Sequence, residues 1–176
     1  DRRLDFMVRH PEAGYLGIEC KNIREWLYPD RDEITDLLLK CTALNCVPVL
    51  IGRRIPFVTF KALTTAGVIV HQTYNQLLPA SDAAVAERIK HKDGLGYHDI
   101  RLGNQPDARL TTFITTNMLA VAPAAREKMD RYLDLLGDFG SGEMNYTEFA
   151  ARVRRRSRGQ NEDNDWPDEE DGEHDE

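Results

Sequence analysis

The chain has 176 residues, of which 41% are apolar, 8% aromatic and 30% charged. This length is sufficient for one domain with a sizeable core, and no run of about 18 apolar residues is present to form a membrane-spanning helix. Three cysteines without the spacing of a zinc cluster or a disulfide framework, and no apolar leader after Asp1, lead us to expect a cytoplasmic protein with no membrane partner.

The net charge of −7 is unevenly distributed along the chain. Residues 159–176 contain ten acidic residues and no Lys or Arg, so the rest of the chain carries a net charge of +3. Just before them, five arginines lie between Arg152 and Arg158. We expect residues 76–158 to form a mainly helical extension that ends in this basic cluster, and residues 159–176 to be a disordered acidic tail.

The first predicted elements form a β-hairpin. Residues 4–9 and 15–22 have the composition of strands, and Pro11 and Gly14 mark a turn between them. If the turn is centred near Glu12, residues whose numbers sum to 24 face each other across the antiparallel pair. One face of the hairpin then carries three apolar pairs: Leu4 with Cys20, Phe6 with Ile18, and Val8 with Leu16. The other face carries Arg3 with Lys21, Asp5 with Glu19, and Met7 with Gly17.

This separation of the two faces supports the register, because a shift by one residue would mix them. We expect the apolar face to pack against a helix. On the charged face, the lack of a side chain at Gly17 would leave room for a substrate backbone.

The next elements alternate between helix and strand. Apolar residues at helical spacing between Ile34 and Leu44 predict a helix with one apolar face. Residues 47–51 are continuously apolar, which is typical of a buried strand, and a short helix after them would let residues 67–71 return as another strand. This alternation predicts an α/β domain over residues 1–75, with a central mixed sheet of about four or five strands and flanking helices.

Three helices are predicted in the second half of the chain. The first runs over residues 81–91. Pro123 suits the first turn of the second, which would reach Leu136 with Gly137 as its stop. Asn145, followed three residues later by a glutamate, is a capping arrangement for the last helix.

The pair formed by Asp5 and Glu19 carries the chemistry of the hairpin. Opposed residues have Cβ atoms about 4.5–5.5 Å apart, so the two carboxylates would repel each other unless a cation lay between them. A divalent metal is the natural cation for such oxygen ligands. Lys21 lies on the same face, where its ammonium could orient or activate a water. These groups are those required for metal-assisted phosphodiester hydrolysis.

This hairpin resembles the PD-(D/E)xK nuclease superfamily, which has the restriction-endonuclease-like fold. The matching residues are Asp5, Glu19 and Lys21, Leu4 stands where the motif has proline, and the resemblance covers about residues 1–75. It implies a divalent-metal-dependent endonuclease acting on DNA. By analogy with duplex-cutting members, a homodimer is one possible arrangement.

The resemblance also implies residue roles. Asp5 and Glu19 would bind Mg²⁺ or Mn²⁺, helped by the backbone carbonyl of Cys20, and Lys21 would activate the water. From their charge and position, five residues are candidates for nucleic-acid binding: Arg3, Asn22, Arg24, Arg53 and Arg54.

Two alternatives remain open. The charged residues of the hairpin could be ordinary charges on a solvated face. The domain could instead be a non-catalytic, nuclease-fold module that binds nucleic acid or protein within a larger assembly.

Overall fold

The computed structural model of the chain describes residues 3–161, and most of the predicted acidic tail lies outside the described residues. A four-stranded sheet has the spatial order β1-β2-β3-β4, with β1 and β2 antiparallel and the other neighbours parallel. A separate two-stranded parallel sheet pairs β5 with β6. The strands are β1 (Phe6–His10), β2 (Gly14–Lys21), β3 (Val47–Gly52), β4 (Ile69–Gln72), β5 (Gln76–Leu78) and β6 (Ile100–Leu102).

Helices flank the four-stranded sheet, which confirms the predicted α/β class with a central mixed sheet. They are α1 (Asp32–Ala43), α2 (Phe57–Thr65), α3 (Ala83–Lys90), α4 (Ala108–Thr112), α5 (Met118–Arg131), α6 (Leu133–Ser141) and α7 (Tyr146–Ser157), with a short 3-10 turn (Ala80–Asp82) before α3 and a π-helical segment (Phe113–Asn117) between α4 and α5. Each described helix is too short or too polar to cross a membrane.

The register of the hairpin is confirmed. Phe6 pairs with Ile18 and Val8 with Leu16, as the sum of 24 requires. The ladder ends at the Phe6–Ile18 pair, so none of the three predicted pairs beyond it is formed: Asp5 with Glu19, Leu4 with Cys20, and Arg3 with Lys21. The backbone bends at Asp5, and this bend takes the Leu4 side chain towards Gly17 on the other face of the sheet.

The face of the hairpin that carries the charged residues is covered as well. Helix α1 covers the face that carries Gly17 and Glu19, and a Cβ atom at Gly17 would lie 2.8 Å from Cys41 Sγ of that helix. Gly17 therefore leaves no room for a substrate backbone. The hairpin pattern alone does not reveal this, because the covering helix comes later in the chain and contacts Gly17 through a small side chain, that of Cys41.

The close approach at Gly17 predicts a stability effect. Gly17→Ala should lower the free energy of unfolding by about 1–3 kcal/mol, because a methyl group there would overpack Cys41, Cys46 and Leu4. Gly137→Ala is the matched control. That position is open and helical, so the alanine should raise the free energy of unfolding by about 0.5–1 kcal/mol. Urea denaturation measures both, and an unchanged value for Gly17→Ala would contradict the packing described here.

The helix boundaries after Pro123 differ from the prediction. Pro123 lies inside α5, not in its first turn, because helical structure begins upstream at α4 and continues through the π-helical segment. The backbone leaves the helix at Tyr132, and Gly137 lies within α6, which ends instead at Gly142 with a φ of 85°. The cap of α7 is confirmed: the Asn145 side chain accepts a hydrogen bond of 2.9 Å from the Glu148 amide.

The predicted helical extension contains two kinds of structure. Helices α5, α6 and α7 contribute to one core with the central sheet, and α6 packs against α1. Residues 76–102, which we call the β5–β6 unit, bury Ala86 and Ile100 outside that core. The predicted helix over residues 81–91 is confirmed as α3. The two strands of the unit were not predicted, because each has only three residues.

Candidate active site

Asp5 lies at the bend where the β1–β2 ladder ends. Its Oδ2 accepts a hydrogen bond of 2.7 Å from the backbone amide of Cys20. The Asp5 carboxylate thus accepts the hydrogen bond of a β2 amide that lies beyond the last pair of the ladder, where no carbonyl of β1 is its acceptor. It contacts the peptide unit that joins Glu19 to Cys20, and Asp5 remains exposed to solvent.

Glu19 is buried, with only 5% of its surface exposed, and two lysines compensate its charge. Its Oε1 lies 2.7 Å from the ammonium of Lys21, and its Oε2 lies 3.0 Å from the ammonium of Lys40. A buried carboxylate is stable only when it is paired in this way, so the two contacts explain how Glu19 is accommodated beneath α1.

Lys40 is a component of the site that the sequence reasoning missed. Its ammonium contacts three oxygens: Glu19 Oε2, Asp36 Oδ2 at 2.9 Å, and the carbonyl of Arg3 at 2.8 Å. Burial opposes the charge on Lys40, but the hydrogen bonds that its ammonium donates to Asp36 and Glu19 outweigh this effect and raise the pKa of the ammonium. The available signal was a lysine beside the apolar positions of α1, four residues after an aspartate.

Cys20 is partly exposed and follows Glu19 in β2. Partial burial, followed by the negative charges of Asp5 and Glu19, raises the pKa of its thiol to about 11. The side chain therefore stays protonated at neutral pH and is a poor nucleophile. Its carbonyl is the group that the family resemblance assigns to the metal.

The predicted nucleic-acid-binding arginines fall into a second cluster around Asp99. Arg24 lies 3.1 Å from the Asp99 carboxylate and stacks 3.4 Å from the centre of the Tyr97 ring. Arg53 is fully buried and also pairs with Asp99. Burial and the nearby charges of Arg24 and Arg54 lower the pKa of Arg53 to about 10.

Arg24 and Arg53 therefore attach the β5–β6 unit to the central sheet, and their charges face Asp99. Asn22 contributes to the same attachment, because its amide donates to the carbonyl of Leu77 at 2.8 Å. Arg54 is partly exposed and lies over Trp26, and Arg3 is exposed beside the carboxylate site.

Two cavities adjoin Lys21. One, of about 510 Å³, opens beyond the carboxyl ends of β2 and β3, and we call it the strand-end pocket. The other has a similar volume of about 510 Å³ and is bounded by acidic residues of α1, including Glu33 and Asp36. Lys21 thus lies between the strand-end pocket and an acidic surface.

The donors near Asp5 and Glu19 fit a hard divalent cation such as Mg²⁺. Within residues 3–161, no group of three or more His, Cys, Asp or Glu side chains converges as a metal site. Magnesium is commonly held by one or two carboxylates, with water and substrate phosphate completing its shell. Two carboxylates and the Cys20 carbonyl are compatible with such a site.

Comparison of this chain with protein-family models, with curated proteins and with solved structures found no match. The function is therefore argued from the geometry of the site itself.

Proposed function

We propose that this protein is a divalent-metal-dependent endonuclease that hydrolyses DNA phosphodiester bonds, with its active site on a restriction-endonuclease-like core. The observation that carries the proposal is the contact between the Asp5 carboxylate and the peptide that follows Glu19. This contact brings the two acids to one end of β2, where Lys21 already touches Glu19. Two carboxylates and an ammonium are the groups that metal-assisted hydrolysis of a phosphodiester requires.

Each residue has a distinct role in this proposal. Asp5 and Glu19 would hold Mg²⁺ or Mn²⁺ together with the carbonyl of Cys20, and the bound ion would supply charge stabilisation at the phosphate. The Lys21 ammonium would position the attacking water and stabilise the negative charge that develops on the phosphate. Arg3 and Arg54, both at least partly exposed, would contact phosphates of the DNA backbone.

A second candidate is a non-catalytic module of the same fold that binds nucleic acid or protein. The observation that favours it is the pairing of Glu19 with both Lys21 and Lys40. These two ammonium groups already compensate the buried carboxylate, so the site has a stable arrangement that requires no metal.

Nicking of supercoiled plasmid separates the two candidates. The enzyme should cleave with Mg²⁺ or Mn²⁺ and not with a chelator. Asp5→Asn should reduce the rate by roughly 10²-fold or more, because it removes a metal-binding charge. Asparagine keeps an oxygen that can accept the Cys20 amide hydrogen bond, so this variant tests the charge rather than the fold. Metal-independent cleavage, or an equal rate for Asp5→Asn, would contradict the proposed enzyme.

A further inference from the structure

The strand-end pocket lies beside the proposed cleavage site and shares Lys21 with it. It is formed where the parallel strands β2 and β3 end, which is a common position for ligand pockets in α/β sheets. The segment that follows β4, the β5–β6 unit and residues 105–110 complete its lining. Its volume of about 510 Å³ is within the usual range for a site that encloses a small organic group.

The lining of the strand-end pocket combines apolar side chains with amide groups. Ile51, Leu102 and Leu110 contribute aliphatic surface. Asn75 and Gln105 contribute side-chain amides, each of which carries both a hydrogen-bond donor and an acceptor. Aliphatic surfaces can sandwich a planar base, and amides can pair with its hydrogen-bonding edge.

Two cationic side chains also line the strand-end pocket. Lys21 lines it on the side of the carboxylate site, and Arg101 lines it from β6. One carboxylate, Asp107, also lines the pocket, and its Oδ1 accepts a hydrogen bond from the Leu110 amide. The two cations outnumber it and suit the phosphates on either side of a nucleotide, and the pocket is far too small for paired duplex. A base can enter it only after leaving the helical stack.

We propose that the strand-end pocket binds one unpaired nucleotide next to the phosphodiester bond that is cleaved. This inference rests on the proposed function, because Lys21 links the pocket to the cleavage site. It specifies the substrate class as DNA with unpaired nucleotides, such as single strands, gaps or bulges. A fully paired duplex would first have to expel a base, at a cost in unstacking free energy.

The inference can be tested by binding measurements that do not depend on cleavage. Fluorescence anisotropy in the presence of a chelator compares a paired duplex with the same duplex containing a three-nucleotide gap. The wild type should bind the gapped DNA about tenfold more tightly. The double variant Asn75→Ala, Gln105→Ala should lose most of this preference, because it removes both amides.

Asn117→Ala with Gln160→Ala is the matched control, since it removes one Asn and one Gln amide from exposed positions outside the pocket. This control should keep the preference. Thermal melting of all variants confirms that they are folded. A free deoxynucleoside monophosphate offers the same base and phosphate, and it should not displace gapped DNA at equal concentration, because it lacks the adjoining backbone.

Three outcomes would overturn the inference: equal affinity of the wild type for paired and gapped DNA, an unchanged preference in the pocket variant, or displacement by the free mononucleotide at equal concentration. Failure of the nuclease proposal is distinguishable from these. In that case no substrate would be cleaved with Mg²⁺ or Mn²⁺, while the preference for gapped DNA in the chelator would remain.

Discussion

Replacing Lys21 by alanine should abolish most DNA cleavage while leaving the protein folded. In the proposed mechanism, Lys21 activates or positions the water, and loss of such a group reduces rates by roughly 10²–10⁴-fold. The fold should tolerate the change, because Lys40 continues to pair with the buried Glu19 carboxylate. The Lys21 side chain is also one-quarter exposed, so its removal opens no sealed cavity.

The measurement is the initial rate of plasmid nicking at saturating Mg²⁺, with thermal melting of the same preparations. Lys92→Ala is the matched control, since it removes a lysine from an exposed position outside the site. It should retain the wild-type rate. A Lys21→Ala variant that is folded and cleaves at the wild-type rate would remove Lys21 from the mechanism.

Lys40→Met should weaken both the fold and the metal site. Its ammonium donates hydrogen bonds to Glu19 and to the carbonyl of Arg3. The same group on α1 therefore holds both Glu19 and the segment that precedes Asp5 in place. Removing one partner of a buried ion pair costs about 3–5 kcal/mol of unfolding free energy. We also expect the Mg²⁺ concentration for half-maximal cleavage to rise about tenfold, as is usual when the groups that orient metal ligands are lost.

Two further variants distinguish positioning from a purely structural role. Lys40→Arg keeps the charge and should restore part of the Mg²⁺ affinity. The exposed control Lys61→Met should change neither the free energy of unfolding nor the Mg²⁺ requirement.

The contribution of Lys40 to stability also depends on pH. The pKa of Lys40 is raised in the folded protein, so the ammonium contributes its full stabilisation below its unfolded pKa of about 10.4. The contribution is lost only as pH rises through the folded pKa. An unchanged Mg²⁺ requirement in a folded Lys40→Met variant would show that Lys40 acts on stability alone.

Local patterns in the sequence were sufficient for the elements whose partners are close along the chain. The register of the hairpin follows from a short turn and alternating side chains, and α1 follows from its apolar spacing. The cap of α7 follows in the same way from Asn145 and the residues next to it. In each case, the interactions that determine the structure connect residues within about one hairpin or three helical turns.

The remaining features depend on contacts between distant segments. Arg24 and Arg53 have the charge expected for phosphate binding, but their partner Asp99 lies 75 and 46 residues away, in a unit whose strands were not predicted. Lys40 pairs with Glu19 across the contact between α1 and β2, so the local sequence around either residue does not reveal this pair. A proline fits the first turn of a helix, but at Pro123 the continuous helical course upstream overrides that local preference.

The attachment of the β5–β6 unit has a consequence for how the protein opens. Residues 76–102 are joined to the central sheet largely by polar contacts of Arg24, Arg53 and Asn22, while β2 lies between two hydrogen-bonded neighbours. Segments with few buried apolar contacts exchange their amide protons through low-energy local openings. Hydrogen exchange should therefore be fast in residues 76–102 and slow in β2. The part of the strand-end pocket formed by residues 76–102 would then move to admit a ligand, while β2, which bears Glu19 and Lys21, stays fixed.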